Sequence, residues 1–305
     1  MRTLFKAIGF VLLFVFIVLT FQTFEAASMF ATVGELMERP GRLVSIVAAY
    51  SLAFVLRAYA WRLYLRERIT VREALYGLLY SLFVNHISPV KIGEAVRVAV
   101  ITGNDKIPVA EAAQSVVVLR LLDLLVLGCF GAAGMMVMLG KIDLNWIFVC
   151  GGITGGILIC LLLWKKAPRF MQTQLLQLKG ALQGIRGIAI LFLTAASWVL
   201  EAFVIYGIAS SLPFSKAVWV NSVTIAGQVF QLTPGGIGTY ETVMTFALQA
   251  AAVPASSAYE WAVISHSFKF AFSYAAGLVL LIVHPMKLTA LLSDKLRGEE
   301  DWWKK

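Results

Sequence analysis

Apolar residues fall along this chain in blocks of roughly twenty, the length an α-helix needs to cross the roughly 30 Å hydrocarbon core of a bilayer. Six blocks predict spanning helices: Leu4 to Phe24, Leu43 to Leu63, Val109 to Leu139, Leu144 to Trp164, Gly187 to Leu212 and Ala255 to Val283. The first also fits a cleaved secretory signal, because Arg2 and Lys6 precede its apolar core and Ala26-Ala27-Ser28 follows it; a retained helix is the expectation. Two other stretches, Arg72 to Thr102 and Lys216 to Ala252, depart from the pattern. Each has an apolar helical half, a proline, and a second helical half: REALYGLLYSLFVNHIS before Pro89 and VKIGEAVRVAVIT after it, then SKAVWVNSVTIAGQVFQLT before Pro234 and GGIGTYETVMTFALQA after it. A proline removes a backbone donor and ends the hydrogen-bond ladder. These segments therefore predict broken helices, with kinked ordinary spans as the plainer alternative.

The two broken stretches match each other. Pro-x-x-Ile-Gly occurs at Pro89 to Gly93 and again at Pro234 to Gly238, each preceded by Ser or Thr, and a second proline follows at nearly equal distance, Pro108 and Pro254. Twelve residues beyond stand Arg120 and His266, and three further on Asp123 and Lys269. If each unit enters and leaves on one face, the three spans between them put the second unit on the opposite face. The expected fold is an all-α polytopic membrane protein of six spanning helices and two re-entrant broken pairs related as an inverted repeat, repeat A over 43–139 and repeat B over 187–284, in a single transmembrane domain over 1–305. Paired broken helices of this kind meet near the bilayer midplane in many secondary transporters. The reading requires Val90 and Gly235 to lie close together.

Composition agrees with the pattern. At 60% hydrophobic, 14% charged and a mean hydropathy of +0.82, the 305-residue chain is excluded from the soluble globular class. Its net charge of +9 is unevenly placed: sixteen Lys and Arg residues fall in segments on one side, among them Arg62, Arg66, Arg68, Lys165, Arg186 and Lys287, against Arg39, Arg42, Lys141 and Lys216 on the other. By the positive-inside rule both termini are cytoplasmic, in the inner (plasma) membrane. Nothing resembles a folded basic domain, so nucleic acid is not an expected partner. The stretch Ala167 to Arg186 predicts an interfacial amphipathic helix. Cys129, Cys150 and Cys160 lie in apolar sequence without ligand spacing, so no disulfide framework, metal or cofactor is expected.

Charges inside the apolar sequence mark the candidate chemistry. Arg57, Arg120, Asp123, Glu201 and Lys269 fall within spans, and at roughly 2.5–3.5 kcal/mol each they cost on the order of 12 to 17 kcal/mol if left unpaired in lipid. They must pair or line a polar cavity. Asp123 and Lys269, at equivalent repeat positions, are an expected pair, and Arg57, near the end of its span, is expected to snorkel to the interface. Lys91, Glu94 and Arg97 follow the first break, the last two on one helix face. A half-helix beginning after Pro89 or Pro234 points its partly positive N-terminus inward, which suits a phosphate, and Gly235-Gly236 lets a head group approach the backbone.

At these residues the sequence resembles the lysylphosphatidylglycerol synthase transmembrane region, or flippase-like domain, family. The resemblance rests on Asn85 with Pro89, Gly93-Glu94 and Arg97, then Arg120-Leu121-Leu122-Asp123, then Pro234-Gly235-Gly236-Ile237-Gly238 with Glu241, in that order over most of the chain. It departs at Leu119, where the family usually has Glu, and at Lys91, where Arg is usual. The resemblance implies a transporter that moves a polar-headed lipid between leaflets, such as an aminoacylated phosphatidylglycerol or a polyprenyl-phosphate-linked sugar. The implied lipid site comprises Asn85, Pro89, Lys91, Gly93, Glu94, Arg97, Arg120, Asp123, Pro234, Gly235, Gly236, Gly238, Glu241 and Lys269. The chain stops after Trp302-Trp303-Lys304-Lys305 without a synthase domain, so it is expected not to make aminoacyl-lipid and not to be an enzyme. Glu94 and Glu241 would hold a cationic head group or exchange a proton. An intramembrane lipid-modifying enzyme using Glu94 with His86 or His266 is the alternative, as is an accessory partner of a glycosyltransferase or lipid synthase. A homo-oligomer is a further possibility.

Overall fold

The computed structural model describes residues 14–88, 92–103, 107–139, 169–209, 211–228 and 233–285. The block Leu144 to Trp164 lies outside them, as do Pro89, Val90 and Lys91. All regular structure among the described residues is helical. In chain order the helices are α1 (Phe14–Thr23), α2 (Ala26–Glu38), α3 (Pro40–Tyr64), α4 (Val71–Ile87), α5 (Gly93–Thr102), α6 (Val109–Leu139), α7 (Arg169–Ala181), α8 (Gly184–Glu201), α9 (Phe203–Ile208), α10 (Phe214–Gly227), α11 (Thr239–Ala250) and α12 (Ala255–Val283), with a short 3₁₀ turn at Pro234–Gly236.

Four described segments are long and apolar enough to cross a membrane: α3, α6, α8 with α9, and α12. A fifth is counted if α1 and α2, bent by 88° at their junction, form one span. The expected spans at Leu43 to Leu63, Val109 to Leu139 and Ala255 to Val283 coincide with α3, α6 and α12. The span expected over Gly187 to Leu212 begins at Gly184, breaks at Ala202 and ends at Ile208. The amphipathic helix expected over Ala167 to Arg186 stops at Ala181, and Gly184, with φ +67, opens the next helix, to which Arg186 belongs. Only a residue without a Cβ adopts that conformation cheaply.

The two proline-broken stretches fold as helical hairpins. In the first, an added Cβ on Gly93 would run into the Ser81 carbonyl and the Asn85 side chain, while the Arg97 carbonyl lies beside Gly77. As numbering rises in α5 it falls in the facing part of α4, so the pair is antiparallel. The second repeats the arrangement: Gly227 meets Val243, and Lys216 Nζ donates to the Ala251 carbonyl at 2.9 Å. Local sequence fixes the ends. Thr70 and Glu73 cap α4 reciprocally, the Thr70 hydroxyl accepting from Glu73 N–H at 3.1 Å and the Glu73 carboxylate from Thr70 N–H at 2.7 Å. Gly235, Gly236 and Gly238 take φ of +64, +85 and +86, which makes the Pro-Gly-Gly-Ile-Gly turn a glycine requirement.

The long helices pack through small residues, as membrane helices do. α3 lies along α8, α6 along α10, and α12 against both α4 and α11. The main core cluster joins Ile46, Tyr50, Phe54 and Trp61 of α3 to Leu119 and Leu122 of α6 and Ile264 of α12. α2 is tied to α12 by Glu260, which accepts from the Ser28 hydroxyl at 2.5 Å and from Thr32. Gly277 of α12 faces the Phe83 ring so closely that a methyl group there would overlap it. Gly277→Ala is therefore expected to destabilise the protein by about 1–3 kcal/mol, read as a lowered unfolding temperature in detergent. Adding Phe83→Ala, which removes the ring but keeps a Cβ 2.8 Å from the new methyl group, should relieve part of that loss and show the two positions to be coupled.

Candidate functional site

The charges that sequence places inside the spans converge where both hairpins break. At the centre lies Glu201, at the end of α8, with its side chain only 4% exposed. Its Oε2 accepts from Arg57 Nη2 of α3 at 2.5 Å and its Oε1 from Lys269 Nζ of α12 at 2.7 Å. Arg57 also donates from Nε to Ser197 at 3.1 Å, and its guanidinium lies 3.9 Å from the centre of the Trp198 ring. Lys269 sits 5.1 Å from the ring centre of Tyr240. Two expectations are thereby corrected. Lys269 pairs with Glu201 and not with Asp123, because α8 brings its own carboxylate between α3 and α12. Arg57 does not snorkel to the interface; it turns inward to that same carboxylate.

Asp123 of α6 instead accepts from Trp198 Nε1 at 2.9 Å and lies 3.7 Å from Arg120 Nη1. Arg120 reaches in turn toward Glu94 at 3.7 Å, and Glu94 accepts from Arg97 Nη1 at 3.2 Å. The chain of charges grades from wet to dry: the Arg120 side chain is 47% exposed, Glu94 30% and Arg97 7%. Arg97 stacks its guanidinium 4.6 Å from the Trp61 ring centre, while its buried Nε has no hydrogen-bond partner among the described residues. A buried cationic donor without an acceptor is costly, so Arg97 is held in a position that its neighbours among the described residues do not fully satisfy.

The hairpin breaks are braced by their own side chains. Asn85 Oδ1 takes the Gly93 amide at 2.9 Å, and Glu241 Oε2 takes the Gly238 amide at 2.7 Å. One amide at each helix start is therefore occupied by a side chain of its own hairpin, and arginine and lysine side chains add positive charge on the cavity wall. Glu241 Oε1 meets His266 Nδ1 at 2.7 Å, and His266 Nε2 meets the Gly235 carbonyl at 3.1 Å. The end of α4 lies near the second break: the His86 ring is 4.5 Å from that of Phe270, whose edge covers Gly235.

These groups enclose a cavity of about 160 Å³, against the roughly 10–15 Å³ that one water needs. Of the residues singled out from sequence, Asn85, Glu94, Arg97, Arg120, Asp123, Gly235 and Lys269 line it. Gly93, Pro234, Gly236, Gly238 and Glu241 stand behind, shaping the breaks, and Pro89 and Lys91 lie outside the described residues. The site list drawn from sequence lacked Arg57, Glu201, Trp198, His86, His266 and Tyr50, all on the cavity wall. A signal for Glu201 existed, since a lone carboxylate within an apolar block must find cations. In formal charge the wall carries Arg57, Arg97, Arg120 and Lys269 against Glu94, Asp123 and Glu201, a surplus of one cation among the described residues. Among those residues no three His, Cys, Asp or Glu side chains cluster as metal ligands.

Comparison with curated proteins and with solved structures gave no match. The family model described as the lysylphosphatidylglycerol synthase TM region matches residues 6–277. With its several membrane-spanning helices and a match over most of its length, the chain belongs to the lysylphosphatidylglycerol synthase transmembrane region family.

Proposed function

We propose that this protein carries a polar-headed, anionic lipid between the leaflets of the cell membrane, acting as a transporter and not as an enzyme. One observation carries the reading: a cavity between the two hairpins, walled by four cations and three carboxylates, with Arg97 and Arg120 among the cations. A phosphodiester supplies one negative charge and several acceptor oxygens, and Arg97 and Arg120 match it by planar, forked donation. The acyl or polyprenyl tails stay in the bilayer while the head occupies the cavity.

The matched hairpins support an inverted-repeat architecture, in which each hairpin is re-entrant from opposite leaflets and the two halves rock about a shared site. Irregular backbone at membrane depth is tolerated where it lines a wet cavity, and Gly235 lines the cavity here. A glycosyltransferase or lipid synthase beside it would supply or use the lipid. With its termini cytoplasmic, the protein presents Arg62, Arg66 and Arg68 to anionic cytoplasmic head groups.

The test is reconstitution of the purified protein in vesicles with fluorescent phosphatidylglycerol or phosphatidylcholine in one leaflet. Phosphatidylglycerol should cross faster; equal rates for the two lipids, or no movement above empty vesicles, would defeat the reading. Arg120→Gln, at the half-exposed mouth of the cavity, should slow phosphatidylglycerol about threefold to tenfold, since a partly solvated cation contributes roughly 1 kcal/mol.

A further inference from the structure

We infer that Glu241 and His266 form a proton-carrying site, and that a proton moves with each anionic lipid. The inference rests on the transport reading above and deepens it. It begins with hydrogen-bond counting. The Gly235 carbonyl can only accept, so His266 Nε2 carries a hydrogen. The Gly238 amide can only donate, so Glu241 Oε2 is an acceptor. That leaves Glu241 Oε1 facing His266 Nδ1 at 2.7 Å, a contact that requires a proton between them. The pair therefore holds one more proton than a carboxylate with a neutral imidazole, either on Nδ1 as imidazolium or on Oε1 as carboxylic acid. Either way it is neutral overall.

The same two side chains hold the second break at both ends, by the Gly235 carbonyl and the Gly238 amide. Unloading sends the proton to cavity water and leaves a carboxylate facing a bare ring nitrogen. One bond of the clamp is then lost or reversed, and the glycine-rich turn that walls the cavity is freed to shift. His266 is itself on the cavity wall, so the proton has a way out.

The groups around the pair set its charge surroundings. Tyr240 of α11 stacks on the His266 ring at 4.1 Å and bonds Ser265. His86 of α4 stands 6.4 Å away between ring centres, and Lys269, three residues on in α12, is held by Glu201 of α8. The Tyr50 ring of α3 is centred 5.8 Å from Lys269 Nζ, and Arg57 of α3 meets the same Glu201. With the proton on the pair, the cavity keeps its surplus of one cation and matches a monoanionic head group. With the proton gone, the added negative charge cancels that surplus and the lipid is released. Proton and anionic lipid therefore favour each other's binding, by equal factors, and travel in the same direction.

The experiment uses the full chain in vesicles carrying fluorescent phosphatidylglycerol in the outer leaflet, with a pH gradient of either sign. Acid outside should drive inward movement faster than acid inside, by a factor approaching about tenfold per pH unit, the limit for one proton per lipid. Glu241→Gln is expected to remove this asymmetry, because its amide oxygen can accept from Gly238 and its NH2 can donate to Nδ1 without an exchangeable proton. His266→Gln should remove it too. Wild-type rates independent of gradient sign would overturn the proton inference while leaving lipid movement intact; no movement in any gradient would overturn the transport reading instead. A second measurement is independent of transport: pH-difference infrared spectra of the protein in detergent should contain a signal, from the carboxyl group or from the imidazole according to which holds the proton, that Glu241→Gln lacks. Identical spectra from the two proteins would remove the proton site.

Discussion

Glu201→Ala is expected to lower the stability of the folded protein by about 3–5 kcal/mol, a large share of the 5–15 kcal/mol that typically separates folded from unfolded chains. The reason is geometric: one carboxylate satisfies two buried cations from different helices, Arg57 at 2.5 Å and Lys269 at 2.7 Å. Deleting it leaves both charges buried without that counter-ion, so Arg57 of α3 and Lys269 of α12 repel each other and α8 no longer holds either. Lys269→Met should be milder, since Arg57 and Glu201 remain paired one to one. Replacing all three together, with Arg57→Leu, Glu201→Leu and Lys269→Met, should recover much of the loss, because apolar packing of similar volume often equals or exceeds a buried ion cluster in stability. Unfolding temperatures of the detergent-solubilised proteins would check the series. A Glu201→Ala variant that melts with the wild type would show that the three helices do not meet as described.

Arg97→Gln should abolish most lipid movement while leaving the fold largely intact. Its guanidinium is almost fully buried, stacked on Trp61 and bonded to Glu94. Glu94 keeps a second cation in Arg120, so the substitution strands no buried carboxylate. What it removes is the cation and the planar fork proposed above to receive a phosphate. Loss of one charged hydrogen-bonding partner, at roughly 2–3 kcal/mol, corresponds to about a 30- to 150-fold slower transfer of phosphatidylglycerol. Arg97→Lys should recover only part of this, since an ammonium neither forks nor stacks. Transfer at the wild-type rate by folded Arg97→Gln would detach the buried arginine from the transport path.

Much of this arrangement is legible along the chain, and what is not has identifiable causes. α6 and α12 are long runs, apolar apart from a few polar and charged residues, with prolines before them, so their limits follow directly. The hairpins are legible because proline and glycine act locally. The break at Ala202 is not, since no proline or glycine marks it. Partner choice is the larger gap. Repeat symmetry points Lys269 at Asp123, yet Lys269 pairs with Glu201, because which helices touch is decided by small-residue contacts such as Gly207 against Ile46 and Gly134 against Trp219. Glu241 illustrates the opposite case: read as a lipid ligand, it instead serves its own turn, and the Gly238-Thr239-Tyr240-Glu241 spacing, that of a capping box, already contained the hint.

The shortness of α5 bears on how the molecule comes to be made. Ten residues of helix measure about 15 Å, half the hydrocarbon thickness, so neither this arm nor the twelve-residue α11 can be held by the bilayer alone. Their blunt ends would expose backbone to acyl chains unless neighbouring helices already shelter them. Biogenesis must therefore set the long described helices in place first and let the two hairpins dock afterwards, so the walls of the charged cavity are completed last.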